Sequence, residues 1–217
     1  MRIVLTWFLV LLAACTAGPE PPRAPTTTHD ATVGAVERVV IDTRPPEQFA
    51  EGHLPGALNL QLGWDQLGAR VRSYVPNKSD GITLRGEDEA ADREAYAILT
   101  ELGYEDVVVF EPPAERERST LELWDTERLA AALESDSPPV VIDVRSRSAH
   151  ETQTIPGALL FEQDEAPGRI DELDRDGRYV VICEAGWRSS QLASYLRRQG
   201  FRNVVNVIDG MAGWRAR

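Results

Sequence analysis

Short apolar runs separated by helix-period segments recur along most of this chain. Val39-Val40-Ile41 and Val140-Val141-Ile142 each run into an aspartate, Asp42 and Asp143, and Tyr179 to Ile182 and Val204 to Ile208 are further runs. Runs of this length without polar alternation are the pattern of strands covered on both faces, as in a parallel sheet. Between them the period changes. Leu129, Ala132 and Leu133 share one face of a helix that Asp125 can cap and Pro138-Pro139 stops. From about Ser189, the residues Leu192, Tyr195, Leu196 and Gln199 keep helical spacing, and Gly200 is a fitting stop. Strands alternating with helices predict an α/β fold, a parallel sheet flanked by helices.

The pattern occurs twice. Val39-Val40-Ile41-Asp42-Thr43-Arg44 returns 101 positions later as Val140-Val141-Ile142-Asp143-Val144-Arg145. The same offset sets Leu54-Pro55-Gly56-Ala57-Leu58 on Ile155-Pro156-Gly157-Ala158-Leu159. Farther on, Leu102-Gly103-Tyr104 with Val107-Val108 matches Gln199-Gly200-Phe201 with Val204-Val205 at an offset of 97. Three ordered blocks imply two domains, over 31–111 and 120–217, joined by a linker over 112–119 that opens with Pro112-Pro113.

The first residues follow neither pattern. Arg2 precedes an apolar run from Ile3 to Ala14, interrupted by Thr6. A spanning helix needs roughly 20 apolar residues, so this shorter run reads as a signal peptide over 1–14. Its end, Leu12-Ala13-Ala14-Cys15, resembles the lipobox of bacterial lipoproteins. That resemblance implies cleavage before Cys15, lipidation of its thiol and an exported protein on the periplasmic side of the cell envelope. Thr16, where an aspartate would retain the protein, leans by the same resemblance towards an outer membrane where the cell has one. The alternatives are an uncleaved short anchor and an ordinary secretory signal. Over 15–30 the chain is rich in Thr, Pro and Ala with no apolar period, and reads as a disordered tether behind the lipidated cysteine.

Composition narrows the partners. With 42% hydrophobic and 27% charged residues the chain can bury an ordinary core. Thirty-five acidic against 23 basic residues leave a net charge of −12. Nucleic acid is therefore not an expected partner, because displacing its counterions needs a basic surface. Contact with a membrane is expected through the lipid anchor alone. His29, His53 and His150 lack ligand spacing with one another or with cysteine, so no metal or other cofactor is expected. Oligomeric state is not legible.

Two cysteines are present, Cys15 and Cys183, and lipidation of the first leaves the second without a disulfide partner. Cys183 comes directly off an apolar strand and precedes a helix, so its loop lies at the carboxyl end of a parallel sheet, where ligands bind. Successive backbone N–H groups and the helix N-terminus there favour an anion, whether a thiolate or a persulfide.

Four motifs in order resemble a rhodanese domain: Asp143-Val144-Arg145, Ile155-Pro156-Gly157-Ala158, Cys183-Glu184-Ala185-Gly186-Trp187-Arg188-Ser189 and Asp209-Gly210-Met211-Ala212-Gly213-Trp214. The first copy opens in the same manner with Asp42-Thr43-Arg44 and Glu51-Gly52-His53-Leu54-Pro55-Gly56-Ala57. The resemblance implies two tandem rhodanese-like domains, each a five-stranded parallel sheet flanked by helices, one active and one inactive. It implies a sulfurtransferase of thiosulfate type. Cys183 would be the nucleophile, the donor a small sulfur anion, and the acceptor a thiol or cyanide. Glu184, Ala185, Gly186, Trp187, Arg188 and Ser189 would form the substrate loop. Within it, Gly186 permits the bend. Arg188 either holds the donor's oxygens or pins the loop to Asp143 or Glu184, and Trp187 either walls the mouth or packs on the surface. Ser189 reads as a helix cap rather than a catalyst, and Asp143 with Arg145 as a structural ion pair. The loop itself is expected to be open, with an exposed thiolate.

Each copy departs from the family pattern. The second has Gln153-Thr154 where Gly-His is usual, which puts local packing in question. In the first, an offset of 97 carries Cys183 back to Gly86, inside the acidic stretch Gly86 to Asp92. That copy cannot do thiolate chemistry. Two other functions compete with this one. A cysteine phosphatase or arsenate reductase needs a Cys-x5-Arg loop, whereas four residues separate Cys183 from Arg188 and Glu184 would repel a phosphate. A non-catalytic tethered binding module would leave the thiol incidental, and an activity assay separates it from an enzyme.

Overall fold

The two repeats fold into two parallel sheets, seen in a computed structural model that describes residues 25–27, 32–33, 36–63, 67–110 and 119–217. The signal segment 1–14, Cys15, most of the tether and the linker 112–118 lie outside the described residues. The first domain runs β1 (Thr26–Thr27), β2 (Thr32–Val33), β3 (Val36–Glu37), β4 (Val39–Asp42), α1 (Pro46–Glu51), β5 (Leu58–Asn59), α2 (Leu67–Tyr74), β6 (Ile82–Arg85), α3 (Glu89–Glu101) and β7 (Val107–Phe110). The second runs β8 (Glu122–Trp124), α4 (Thr126–Leu133), β9 (Val140–Asp143), α5 (Arg147–Thr152), β10 (Leu159–Leu160), α6 (Ala166–Arg169), a 3-10 turn (Ile170–Glu172), β11 (Arg178–Ile182), α7 (Trp187–Arg198), β12 (Asn203–Val207) and α8 (Gly210–Arg215). Their five-stranded sheets have matching orders, β1-β7-β6-β4-β5 and β8-β12-β11-β9-β10. Every pairing in them is parallel.

The edge strand β1 corrects the expected tether and domain start. Thr26 and Thr27 lie opposite Val109 and Phe110, and Val109 N–H donates to the Pro25 carbonyl at 2.8 Å. A proline opening an edge strand and two β-branched threonines are compatible with such pairing. The first domain therefore begins before residue 31, and the tether ends by Pro25. β8 occupies the same place in the second sheet.

Capping follows the expected chemistry at α4, where the Asp125 carboxylate accepts from Arg128 N–H at 2.7 Å. α7 begins earlier than its apolar spacing implies, at Trp187, with Gly186 in left-handed conformation at its N-cap.

Strand alternation decides where Cys183 points. Val180 and Ile182 face one cluster, with Val141, Val205, Val207 and Met211. Val181 and Cys183 face the other, with Ile142, Phe161, Leu192 and Leu196. This second cluster continues into the first domain through Val40, Phe49, Ala50 and Leu54. The sulfur thus lies on the face of its sheet that meets the other domain. There α7 packs on β5, with Asn59 N–H donating to the Ser194 hydroxyl at 2.9 Å. Among the described residues no helix is long and apolar enough to cross a membrane.

Candidate active site

Cys183 is buried, with 1% of its surface exposed, and is one of the residues lining a cavity of about 330 Å³. This corrects the expectation of an open loop: the helix α7 and the first domain cover the sulfur on the interdomain face. Between Ile182 and α7 the backbone turns sharply at Gly186, where φ is +80°. A side chain there would also meet the Ile208 carbonyl oxygen at 2.3 Å, so glycine is required twice over. Asn206 holds the turn by donating to the Gly186 carbonyl at 3.0 Å.

The far end of the chain clamps the same loop. Met211 N–H donates to the Cys183 carbonyl at 2.8 Å, and Ala212 N–H to the Glu184 carbonyl at 3.0 Å. Gly210 allows this approach, since a Cβ there would lie 2.5 Å from the Glu184 backbone. With the carbonyls pulled outward, no acceptor among the described residues takes the N–H groups of residues 184–189. The first bonded amide of the helix is Ser190, which donates to Gly186 at 3.2 Å. Such a run of unpaired donors at a helix start is an anion-binding concavity.

The expected substrate loop is partly brought together. Glu184, Ala185, Trp187 and Arg188 line the cavity with Cys183, whereas Gly186 is buried behind it. Trp187 is 37% exposed and serves as a wall of the cavity. Arg188 is half-buried and has no ion-pair partner among the described residues. The suggested anchors are occupied by others. Glu184 pairs with Arg215 and lies 3.8 Å from Arg145, so two guanidiniums offset the repulsion expected from its charge. Asp143 is gripped by Arg145 through Nε and Nη2, at 3.0 and 2.8 Å.

That grip is structural and present in both domains. Arg44 holds Asp42 in the same way and reaches the Gly52 carbonyl at 2.8 Å, as Arg145 reaches the Gln153 carbonyl at 2.6 Å. Burial pushes Asp143 up, but hydrogen bonds and charge from Arg145, with the Thr154 hydroxyl, hold its carboxyl below the usual carboxylate value. Thr154, where histidine is usual, keeps the packing by donating to Asp143 at 3.0 Å.

Ser189 is not a cap. It is fully buried in the first turn of α7, and its hydroxyl donates to Cys183 Sγ at 3.4 Å. The residue at the same offset in the first domain is Asp92, whose carboxylate accepts from Gly86 N–H. The nucleophile-free loop is thus filled by an acid from its own helix. Sequence reasoning also missed Gln61, Gly63 and Arg70, which line the Cys183 cavity from the first domain, and Gln191 from α7. Nothing along the chain signals a contact that only domain packing creates.

Similarity to known proteins agrees with this geometry. A family model described as a rhodanese-like domain matches residues 27–111 and again 125–217. The chain is 37% identical over 76 residues to the thiosulfate sulfurtransferase GlpE of Pseudomonas syringae pv. syringae (strain B728a), covering 35% of this chain and 72% of that protein. It is 34% identical over 82 residues to a longer Bacillus subtilis (strain 168) relative, covering 38% of this chain and spanning 44% of that protein. Among solved structures, a rhodanese-like domain protein from Staphylococcus aureus is 29% identical with a TM-score of 0.42, covering 43% of this chain and 91% of that one. With both repeats matched and a buried cysteine heading the second loop, the chain belongs to the rhodanese-like domain family as a tandem member.

Proposed function

We propose that this protein transfers sulfane sulfur through a persulfide on Cys183. The observation that carries the reading is the run of unpaired amides, residues 184–189, beginning beside a buried sulfur that already accepts a hydroxyl hydrogen bond. With thiosulfate as donor, the Cys183 thiolate attacks the outer sulfur. An Sγ–S bond forms, the donor's S–S bond breaks, and sulfite leaves with the electron pair. The negative charge, now on the outer sulfur of the persulfide, stays within reach of the same amides, which stabilise it in a water-poor site. Cyanide or a thiolate then attacks that sulfur, the bond to Sγ breaks, and the Cys183 thiolate returns. Thiocyanate or an acceptor persulfide departs, and electrons balance without an outside oxidant.

Arg188 holds the sulfonate oxygens of the donor, as a planar fork suits oxyanions. The protein works outside the cytoplasm, anchored to the cell envelope through lipid on Cys15. Cys183→Ser in the full chain tests the chemistry. Thiocyanate formation from thiosulfate and cyanide should disappear, and mass spectrometry should find one added sulfur on the wild-type chain and none on the variant. An undiminished rate in the variant would end the proposal and leave a tethered binding module as the better account.

A further inference from the structure

The first domain has no nucleophile, yet it builds one wall of the cavity over Cys183. Gln61, Gly63 and Arg70 line that cavity across the interface. Arg70 is 8% exposed and is carried by α2, whose Leu67, Val71 and Tyr74 are buried in the first domain's own core. Its guanidinium also bonds Asp164 of the second domain. The helix is therefore held from both sides, and Arg70 is not a mobile surface arginine.

A chain of buried side-chain hydrogen bonds fixes the register. The Gln163 amide donates to Tyr74 Oη at 2.9 Å and to Gln191 Oε1 at 2.8 Å. Gln191 donates to Gln61 Oε1 at 2.8 Å, Gln61 to Asn59 Oδ1 at 2.5 Å, and Ser190 to the same Asn59 oxygen at 2.6 Å. The ladder crosses between domains three times and runs alongside the first turns of α7. Buried amides are costly when unpaired, and every amide group of the ladder finds a partner except Gln163 Oε1, so the ladder favours one relative placement of the two domains. In that placement Gln61 and Arg70 line the same cavity as Cys183.

We infer that the first domain determines substrate specificity at the Cys183 site, with Arg70 contacting the oxyanion end of the sulfur donor across the cavity from Arg188. This rests on the persulfide reading above. Arg70 and Arg188 line the cavity against one acid, Glu184, which is itself paired with Arg215, so in a chain with a net charge of −12 the site leans positive, and a donor such as thiosulfate is a dianion. A guanidinium presents five donors, so it can serve Asp164 and a ligand oxygen together. The acceptor half-reaction needs no such contact when cyanide is used, because thiosulfate's oxygens have left as sulfite.

The two half-reactions separate this role from a structural one. The full chain and its Arg70→Gln variant are loaded with thiosulfate and, separately, discharged from the preformed persulfide with cyanide. A hydrogen bond to a charged group is worth about 1.5–3 kcal/mol. The KM for thiosulfate should therefore rise about tenfold or more while the discharge rate stays near wild type, and any fall in melting temperature from losing the Asp164 bond leaves that split between the half-reactions intact. Arg70→Lys keeps the charge without the fork and should fall between the two, which preserves the test if Arg70→Gln fails to fold. Wild-type loading with an unchanged KM in either folded variant overturns the role of Arg70 and leaves the persulfide reading standing. Equal slowing of both half-reactions with a lower melting temperature makes Arg70 structural and also overturns it. A wild-type chain that never gains sulfur on Cys183 from thiosulfate overturns the persulfide reading and this inference together.

Discussion

At the scale of single residues, Cys183 and Arg188 differ in how they are held. Cys183 sits in a packed cluster, so replacing its sulfur with the smaller serine oxygen is a core substitution rather than a change in an open loop. The new hydroxyl inherits Ser189 as a partner, and the expected stability cost is about 1 kcal/mol, small beside the loss of all transfer. Arg188 is the opposite case. With Glu184 and Asp143 committed to other arginines, it contributes little to folding and is available to a ligand. Arg188→Ala should therefore raise the apparent KM for thiosulfate more than it lowers turnover and leave the melting temperature within about 2 °C, because the half-buried side chain has no ion-pair partner among the described residues to lose. Steady-state kinetics beside a thermal scan checks both. A fall in turnover and melting temperature together would mean that Arg188 pins the loop after all. The reactive position was legible because a strand, a cysteine, a glycine turn and a helix follow one another locally. Ser189 was misread because Ser is a common cap; only the left-handed Gly186 shows that this helix starts without a side-chain cap.

At the scale of elements, the two strand–loop–helix units show how one design is kept active and the other closed. In the second, α7 begins at a glycine turn and the loop residues Glu184, Ala185, Trp187 and Arg188 line a cavity. In the first, Asp92 of α3 folds back onto Gly86 N–H, and the acidic stretch between them occupies the loop. Burial pushes the Asp92 carboxyl up to about 6, although the Gly86 hydrogen bond and nearby Arg85 act against the shift. Because the folded state holds this proton more tightly than the unfolded chain, Asp92 favours folding at acid pH. That contribution is lost as pH rises from about 4 to about 6. Asp92→Asn mimics the neutral acid throughout. Its melting temperature should match wild type near pH 4 and exceed it at pH 7, and an equal offset at both values would contradict the assignment. The central strands were legible as unbroken apolar runs, and α4 from its cap and spacing. β1 and β8 were not, since two- and three-residue edge strands carry no period, and what makes them strands is pairing with β7 and β12 far along the chain.

At the scale of the whole molecule, the sheet edge at Pro25 changes what the N-terminal signals mean. If Cys15 is lipidated, only ten residue steps separate the anchor from a residue whose carbonyl is already bonded to β7. An extended chain spans at most about 3.3–3.6 Å per residue, so the first domain would be held within about 35 Å of the membrane surface. That is a short leash for a chain with a net charge of −12 beside anionic lipid. The arrangement makes the first domain do two jobs. It hydrogen-bonds the incoming tether at one edge of its sheet through β7, and at the other edge β5 receives α7 and so helps wall the Cys183 cavity. The expected outcome of expressing the full chain is a membrane-associated mature protein that begins at a lipid-modified Cys15, whereas Cys15→Ala should not be anchored. Cell fractionation with mass analysis of the mature N-terminus reads both. An unmodified thiol at Cys15, or an intact chain from Met1 in the cytosol, would sink the anchor. Sulfur transfer by the same preparation would survive that result, because the proposed chemistry rests on the loop at Cys183 and not on the anchor.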